Sequence, residues 1–275
     1  MNEQIVINSL LISYNNFGVN EQRPALLFLH GWRSSKEVWQ GIVGRLISSP
    51  ADQNYNIYTL DLPGFGASQA PSSLFGVGDY AQVVKEFIEK LGLKDVILIG
   101  HSFGGRVGIK LAAMTAEKRS NLAADESTSP LKGEKGNISK LVLVDSAGFA
   151  MNESKKNIYG SLAKIAKPFF SPKFMQPLRK KIYKQIGAED YLATPQLQAT
   201  FVKVTAEDLS PDLKKIVCPT LIVFGQNDTD TPVEFGEKME QLITTSNLVV
   251  IKDAGHFSFL DKPDEFLKQL QDFIA

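Results

Sequence analysis

Five residues, Gly100-His101-Ser102-Phe103-Gly104, constrain this chain more than any other stretch. They stand between an apolar run, Val96-Ile97-Leu98-Ile99, and a segment of helical character, Arg106-Val107-Gly108-Ile109-Lys110-Leu111-Ala112-Ala113. G-x-S-x-G between a strand and a helix predicts a turn too tight for side chains at its flanking positions. Glycine accepts such a turn, and the serine hydroxyl is left exposed at the carboxyl end of the strand. A serine so placed needs a base, an acid to orient that base, and backbone donors for an oxyanion.

The rest of the chain repeats this strand-then-helix rhythm. Short β-type runs fall at Gln4–Ile7, Leu10–Tyr14, Ala25–Leu29, Asn56–Leu60, Val96–Ile99, Leu141–Val144, Thr220–Phe224 and Leu248–Ile251. The later runs are nearly all apolar, as expected of parallel strands covered on both faces. Helical patterns lie at Lys36–Ile47, Tyr80–Leu91, Arg106–Thr115, Val233–Leu242 and Asp264–Phe273. Asp79 is placed to cap the second of these, and Pro263 to open the last. Two antiparallel-looking strands followed by β-α units predict a mostly parallel, doubly wound eight-stranded sheet. Ligands of such sheets bind beyond the carboxyl ends of the strands.

Two stretches break the rhythm. Glu117–Lys140 is polar and predicts a long surface loop. Met151–Pro211 is helical in pattern and carries no strand, yet it lies between two strands, so it is an insertion. The expected organisation is a core of residues 1–150 and 212–275, interrupted by a helical insertion over 151–211. Within Met151–Ala188 nine Lys or Arg residues face a single acid, Glu153. Phe174, Met175, Leu178, Ile182 and Ile186 recur at helical spacing there, so the segment predicts a basic helix with an apolar face. That face is expected to pack on the core with solvated lysines, weak contact with an anionic membrane surface being the sharper alternative.

Composition narrows the function classes. Lysine plus arginine and aspartate plus glutamate number 30 each, so bulk charge gives no reason to expect a nucleic-acid partner. The one cysteine, Cys218, excludes an intramolecular disulfide and a multi-cysteine zinc site, and its place before Pro219 predicts packing. Met1-Asn2-Glu3-Gln4 lacks the basic region of a signal peptide, and no apolar run nears the roughly 18–20 residues that span a bilayer. A cytoplasmic protein with no stable membrane insertion is the expectation.

Only three histidines can supply the base: His30, His101 and His256. His101 belongs to the turn and His30 ends a strand. His256 follows the last strand in Asp253-Ala254-Gly255-His256-Phe257, where a core role explains it poorly. For the acid, Asp228 in Phe224-Gly225-Gln226-Asn227-Asp228 follows a buried strand and lies between serine and histidine. Asp145, after Leu141–Val144, is the rival, and Asp230 a weaker one; the bland reading of both is loop capping. The backbone N–H of Phe103 is the expected first oxyanion donor, and that of Trp32 in His30-Gly31-Trp32-Arg33 the second. Trp32 then has its side chain free to line a pocket.

These residues carry a resemblance. The serine turn, His30-Gly31, Asp61-Leu62-Pro63-Gly64-Phe65-Gly66-Ala67-Ser68, Gly225-Gln226-Asn227-Asp228 with Pro232, and Gly255-His256 follow one another as in α/β-hydrolase-fold proteins. The chain resembles that superfamily over nearly its whole length, which implies an α/β-hydrolase fold with the insertion 151–211 as a helical cap and a triad of Ser102, Asp228 and His256. His30-Gly31-Trp32 stands where some lipases and esterases carry His-Gly-Gly-Gly, so nothing points to the bulky alcohols which that loop is thought to admit. A serine at the turn argues against the dehalogenases and epoxide hydrolases of the family, which use a carboxylate nucleophile.

The expected activity is therefore hydrolysis of a small-molecule carboxylic ester, without metal or cofactor, through an acyl-enzyme. A carbon–carbon bond hydrolase is the nearest alternative, and lactonase, thioesterase and cofactor-free haloperoxidase chemistry use the same triad. A ligand-sensing protein on this fold forms a second class. Substrate identity lies beyond these motifs.

Overall fold

The structure, a computed structural model, describes residues 2–18, 20, 22–48, 54–123, 137–150 and 194–275. Eight strands form one sheet: β1 (Asn2–Ile7), β2 (Leu10–Phe17), β3 (Ala25–Leu29), β4 (Asn56–Leu60), β5 (Val96–His101), β6 (Ile138–Val144), β7 (Thr220–Gly225) and β8 (Ser246–Ile251). Their order is β1-β2-β4-β3-β5-β6-β7-β8. β2 pairs antiparallel with β1 and β4, and every later pairing is parallel.

The sheet forms where successive side chains serve two apolar layers at once. Leu26 and Phe28, Ile97 and Ile99, Val142 and Val144, and Leu221 and Val223 point to one face. Leu27 and Leu29, Leu98, Leu141 and Leu143, and Ile222 and Phe224 point to the other. That period of two with no polar phase requires cover on both sides.

Helices supply the cover. α1 (Gln40–Ser48), entered through a 3-10 turn over Lys36–Trp39, packs on the first face with Ile42, Val43 and Leu46. α8 (Pro263–Ile274) joins it there through Phe266, Leu267, Leu270 and Ile274, spaced three and four apart. Each such buried side chain contributes about 1.5–3 kcal/mol. α2 (Val77–Lys90), α3 (Phe103–Ala123) and α6 (Val233–Leu242) cover the other face. The remaining helices are α4 (Gln198–Ala206) and the one-turn α5 (Ser210–Leu213) and α7 (Ser258–Asp261). Cys218 is buried in the core, as expected.

Several local boundaries shift. α2 begins at Val77, with Gly76 as its cap; Asp79 is the third helical residue, and its carboxylate accepts the Gly76 N–H at 2.6 Å. α3 runs from Phe103 to Ala123, and β6 starts at Ile138, so both elements reach into the stretch read as a loop over Glu117–Lys140. Polar α3 residues beyond Thr115 carry no apolar period, which hid the helix. β8 opens at Ser246, where polar Ser246 and Asn247 pair with Thr220 and Leu221.

The inserted segment leaves the sheet after β6 and returns before β7. Residues 151–193, with the basic helix read over Met151–Ala188, lie outside the described residues. The returning part, 194–213, is helical and docks on the core through Leu197, Val204 and Leu213. Among the described residues no helix is long and apolar enough to cross a membrane.

Candidate active site

β5 ends at His101 and α3 begins at Phe103, so Ser102 is the single residue between strand and helix. Its φ of +51° lies in the left-handed region, which costs a residue with a Cβ about 1–2 kcal/mol. The turn closes because its glycines leave room. A Cβ on Gly100 would lie 2.5 Å from the Gly104 carbonyl oxygen, and one on Gly104 2.6 Å from that of Leu29. The Ser102 N–H donates to the Val144 carbonyl at 3.0 Å, tying the turn to the end of β6.

The loops after β7 and β8 bring Asp228 and His256 to this serine. His256 Nε2 lies 3.1 Å from Ser102 Oγ, and His256 Nδ1 lies 2.8 Å from Asp228 Oδ2. The Asp228 side chain is 0% exposed and that of His256 15%, so the imidazole can meet a ligand and the carboxylate cannot. Asp228 Oδ1 accepts the N–H groups of Asp230 and Thr231, and Oδ2 accepts the Thr231 hydroxyl at 2.7 Å.

These contacts set the charges. Burial pushes the Asp228 carboxyl up, but hydrogen bonds from His256 and Thr231 outweigh it and hold the group below the ordinary carboxylate value. Burial pushes His256 down, and the Asp228 partner outweighs it, leaving the imidazole above its ordinary 6.5. An ionised Asp228 thus faces Nδ1–H, and Nε2 is left to accept a proton from Ser102.

The rival acids are placed elsewhere. Asp145 is buried at the end of β6; Oδ1 accepts the Gly225 N–H at 2.8 Å, and Oδ2 the Ser258 N–H at 3.0 Å and hydroxyl at 2.7 Å. Asp230 is exposed, and its N–H donates to Asp228. Of the three acids, Asp228 is the one hydrogen-bonded to His256, while Asp145 sits at the first residue of α7 in the capping role.

The other histidines are buried. His101 Nε2 lies 2.8 Å from the His256 carbonyl oxygen. His30 Nε2 accepts the Leu62 N–H at 3.0 Å, so its Nδ1–H donates to the Gly31 carbonyl at 2.7 Å. Burial drives His30 down to about 4 and His101 to about 3, so both stay neutral at pH 7.

The loop with the expected second oxyanion donor runs against the serine turn. A Cβ on Gly31 would lie 2.8 Å from His101 Nδ1 and 3.2 Å from Ser102 Cβ. Phe103 is the first residue of α3, so its N–H is among the donors a helix leaves unpaired at its amino end. Among the described residues no backbone carbonyl takes the N–H of Phe103 or of Trp32. The Trp32 side chain joins an aromatic cluster beside the turn. Its ring packs against Phe65, Phe103 and Phe201 at centroid distances of 4.8, 5.0 and 5.2 Å, and Nε1 donates to Thr194 Oγ1.

Thr231 is the residue sequence reading misses. Its hydroxyl lies within 3.2 Å of the Asp145 carbonyl, Asp228 Oδ2 and His256 Nδ1. An Asp followed by donors two and three residues on, as in Asp228-Thr229-Asp230-Thr231, is the local signal that points to it. Ligand atoms of Asp228, Asp230 and His256 lie within 4.8 Å of one another, a spacing a metal ion can use. In this arrangement Asp228 Oδ2 and His256 Nδ1 are already bound to each other.

Known proteins share this framework. Pimeloyl-[acyl-carrier protein] methyl ester esterase from Aliivibrio fischeri is 27% identical over 252 residues, covering 90% of this chain and 93% of that protein. The protein of the same name from Nitrosomonas europaea is 27% identical over 270 residues, covering 89% and 93%. Among solved structures, an esterase from Exiguobacterium antarcticum superposes with a TM-score of 0.71 at 24% identity, covering 100% of this chain and 99% of that one. A bromoperoxidase from Bacillus anthracis gives 0.74 at 22% identity, covering 100% and 99%. At those identities the superpositions speak for the fold alone. The sequence pattern of the alpha/beta hydrolase family runs over residues 26–269, and the chain belongs to that family.

Proposed function

We propose that this protein is a serine hydrolase that cleaves carboxylic esters through an acyl-enzyme. The observation that carries the reading is the hydrogen-bonded chain from Ser102 Oγ through the His256 ring to buried Asp228. In the proposed reaction Oγ attacks the ester carbonyl as its proton passes to His256 Nε2. The imidazolium, balanced by Asp228, returns that proton to the leaving alcohol. Water then attacks the acyl group, giving a proton to Nε2, which passes it back to Ser102 as the acid departs. The N–H groups of Phe103 and Trp32 hold the negative oxygen in both tetrahedral species.

Two observations support the substrate class. The ring cluster of Trp32, Phe65, Phe103 and Phe201 lies beside the serine turn and suits an apolar acyl group. The two curated relatives above are named methyl ester esterases, which supports a small alcohol. The insertion 151–211 serves as the cap in this reading.

Hydrolysis of p-nitrophenyl esters from acetate to decanoate, with Ser102→Ala in parallel, tests the reading. The variant is expected to lose on the order of 10³-fold or more in kcat. Equal turnover in both proteins, or none in either, would remove the esterase assignment.

A further inference from the structure

Asp145 takes no part in the reaction above, yet it is wholly buried, and its two oxygens accept three hydrogen bonds from the end of β7 and the start of α7. The donors are informative. Gly225 N–H lies at the end of β7, where the Asp228 loop begins, and Ser258 lies two residues after His256. The Asp145 carbonyl oxygen also lies 2.9 Å from the Thr231 hydroxyl, which donates to Asp228. One residue thus holds the loop of the acid and the loop of the base, both from the end of the strand beside the serine turn. Its φ of +45° aims the side chain there at a steric cost, like that of Ser102 on the neighbouring strand.

We propose that Asp145 is a positioning residue for the reaction: its carboxylate clamps Gly225 and Ser258 and so sets His256 between Asp228 and Ser102. The inference rests on the hydrolase reading above. Loss of the clamp moves the imidazole relative to Oγ without touching the substrate pocket, so kcat falls while KM is retained. A displacement near 1 Å at a reacting group is enough for a loss on the order of 10²-fold. The charged and titratable groups that face His256 are Asp228 and Asp230 after β7, Asp145 after β6 and His101 on β5. Burial raises Asp145 itself to about 7, and once ionised its charge adds to that of Asp228 in raising the His256 imidazole.

The test compares Asp145→Asn, Ser258→Ala and the double variant. Asp145→Asn keeps the shape but presents an amide N–H₂ to groups that donate. Its kcat is expected to fall by roughly 10–100-fold with KM within about threefold of the parent. Ser258→Ala removes one of the three donors and is expected to cost about three- to tenfold, the range of a single hydrogen bond. The double variant is expected to match Asp145→Asn, because the hydroxyl contact that Ser258→Ala removes is already lost in Asp145→Asn.

A readout without turnover accompanies the kinetics. With only three histidines, and His30 and His101 held near 4 and 3, the ring signal titrating above 6.5 in a ¹³C-histidine-labelled protein belongs to His256. Its midpoint is expected to move to lower pH in Asp145→Asn. An unmoved midpoint, a kcat within twofold of the parent, or losses that multiply in the double variant would each overturn the proposal. Should Asp145→Asn fail to fold, Ser258→Ala decides alone, and a parent-like kcat refutes the clamp. The titration needs no substrate, so failure of the ester reading, seen through Ser102→Ala, stays distinguishable from failure of this one.

Discussion

At the residue scale the site is a set of opposed pushes on two protons. Burial works against ionised Asp228 and against protonated His256, and the hydrogen bond between them overrides it in both. The base must be neutral at Nε2 to accept the Ser102 proton, and its raised affinity for protons sets where activity begins. The kcat/KM profile of a p-nitrophenyl ester is expected to rise with pH through a midpoint above 6.5. Asp228→Asn is expected to move that midpoint down and depress the plateau, since the amide no longer stabilises the imidazolium. A parent midpoint below 6.5 would contradict the charge state drawn from the geometry.

At the element scale, α3 carries the serine turn at one end and is tied by a buried arginine to the polypeptide around it. Arg106 is 2% exposed; its guanidinium donates to the Phe149 carbonyl at 3.1 Å and to that of Glu207. One side chain thereby joins α3 to the chain leaving β6 and to the segment just beyond α4. Burial lowers the guanidinium to about 10, so it stays charged, and hydrogen bonds from a charged donor are the stronger kind. Arg106→Met keeps most of the apolar stem and removes both donors. It is expected to cost about 2–4 kcal/mol in denaturant unfolding. Hydrogen exchange over 198–206 is expected to quicken as α4 loses its anchor; an unchanged midpoint and unchanged exchange would show that α4 docks through its apolar face alone.

At the scale of the whole molecule, two buried imidazoles make the fold sensitive to acid. His30 and His101 bind protons only near pH 4 and 3 when folded, whereas an exposed imidazole does so near 6.5. Below about 6.5 the unfolded chain therefore takes up protons that the folded one refuses, and stability falls as pH falls. Asp145 acts in the opposite sense. Burial raises it to about 7, so its contribution falls as pH rises from its ordinary 3.8 towards 7. His256, held above 6.5, acts with Asp145, but below 6.5 the unfolded chain takes up that proton as well, so the two sealed imidazoles dominate and Tm by calorimetry is expected to be lower at pH 5 than at pH 7. An equal or higher Tm at pH 5 would mean that the imidazoles are not sealed from water as the fold implies.

The sequence by itself determined the architecture, the serine and the histidine. Apolar runs of four or five residues are poorly solvated, so β3, β5, β7 and the second half of β6 follow from composition and period alone. The serine turn was legible because only glycine fits at Gly100 and Gly104, a constraint local to five residues. His256 stood out because a loop histidine past a strand end has no packing reason to be there. What tertiary structure decided is which polar side chains share a loop boundary. Asp145 and Asp228 are equivalent in sequence, each an acid after a buried strand, and only the separation of β6 from β8 gives the imidazole to Asp228 and the Ser258 turn to Asp145. Thr231, Ser258 and His101 acquire their roles in the same way. Hydrogen bonds across 25 to 155 positions depend on strand order and loop approach, which no local pattern of residues encodes.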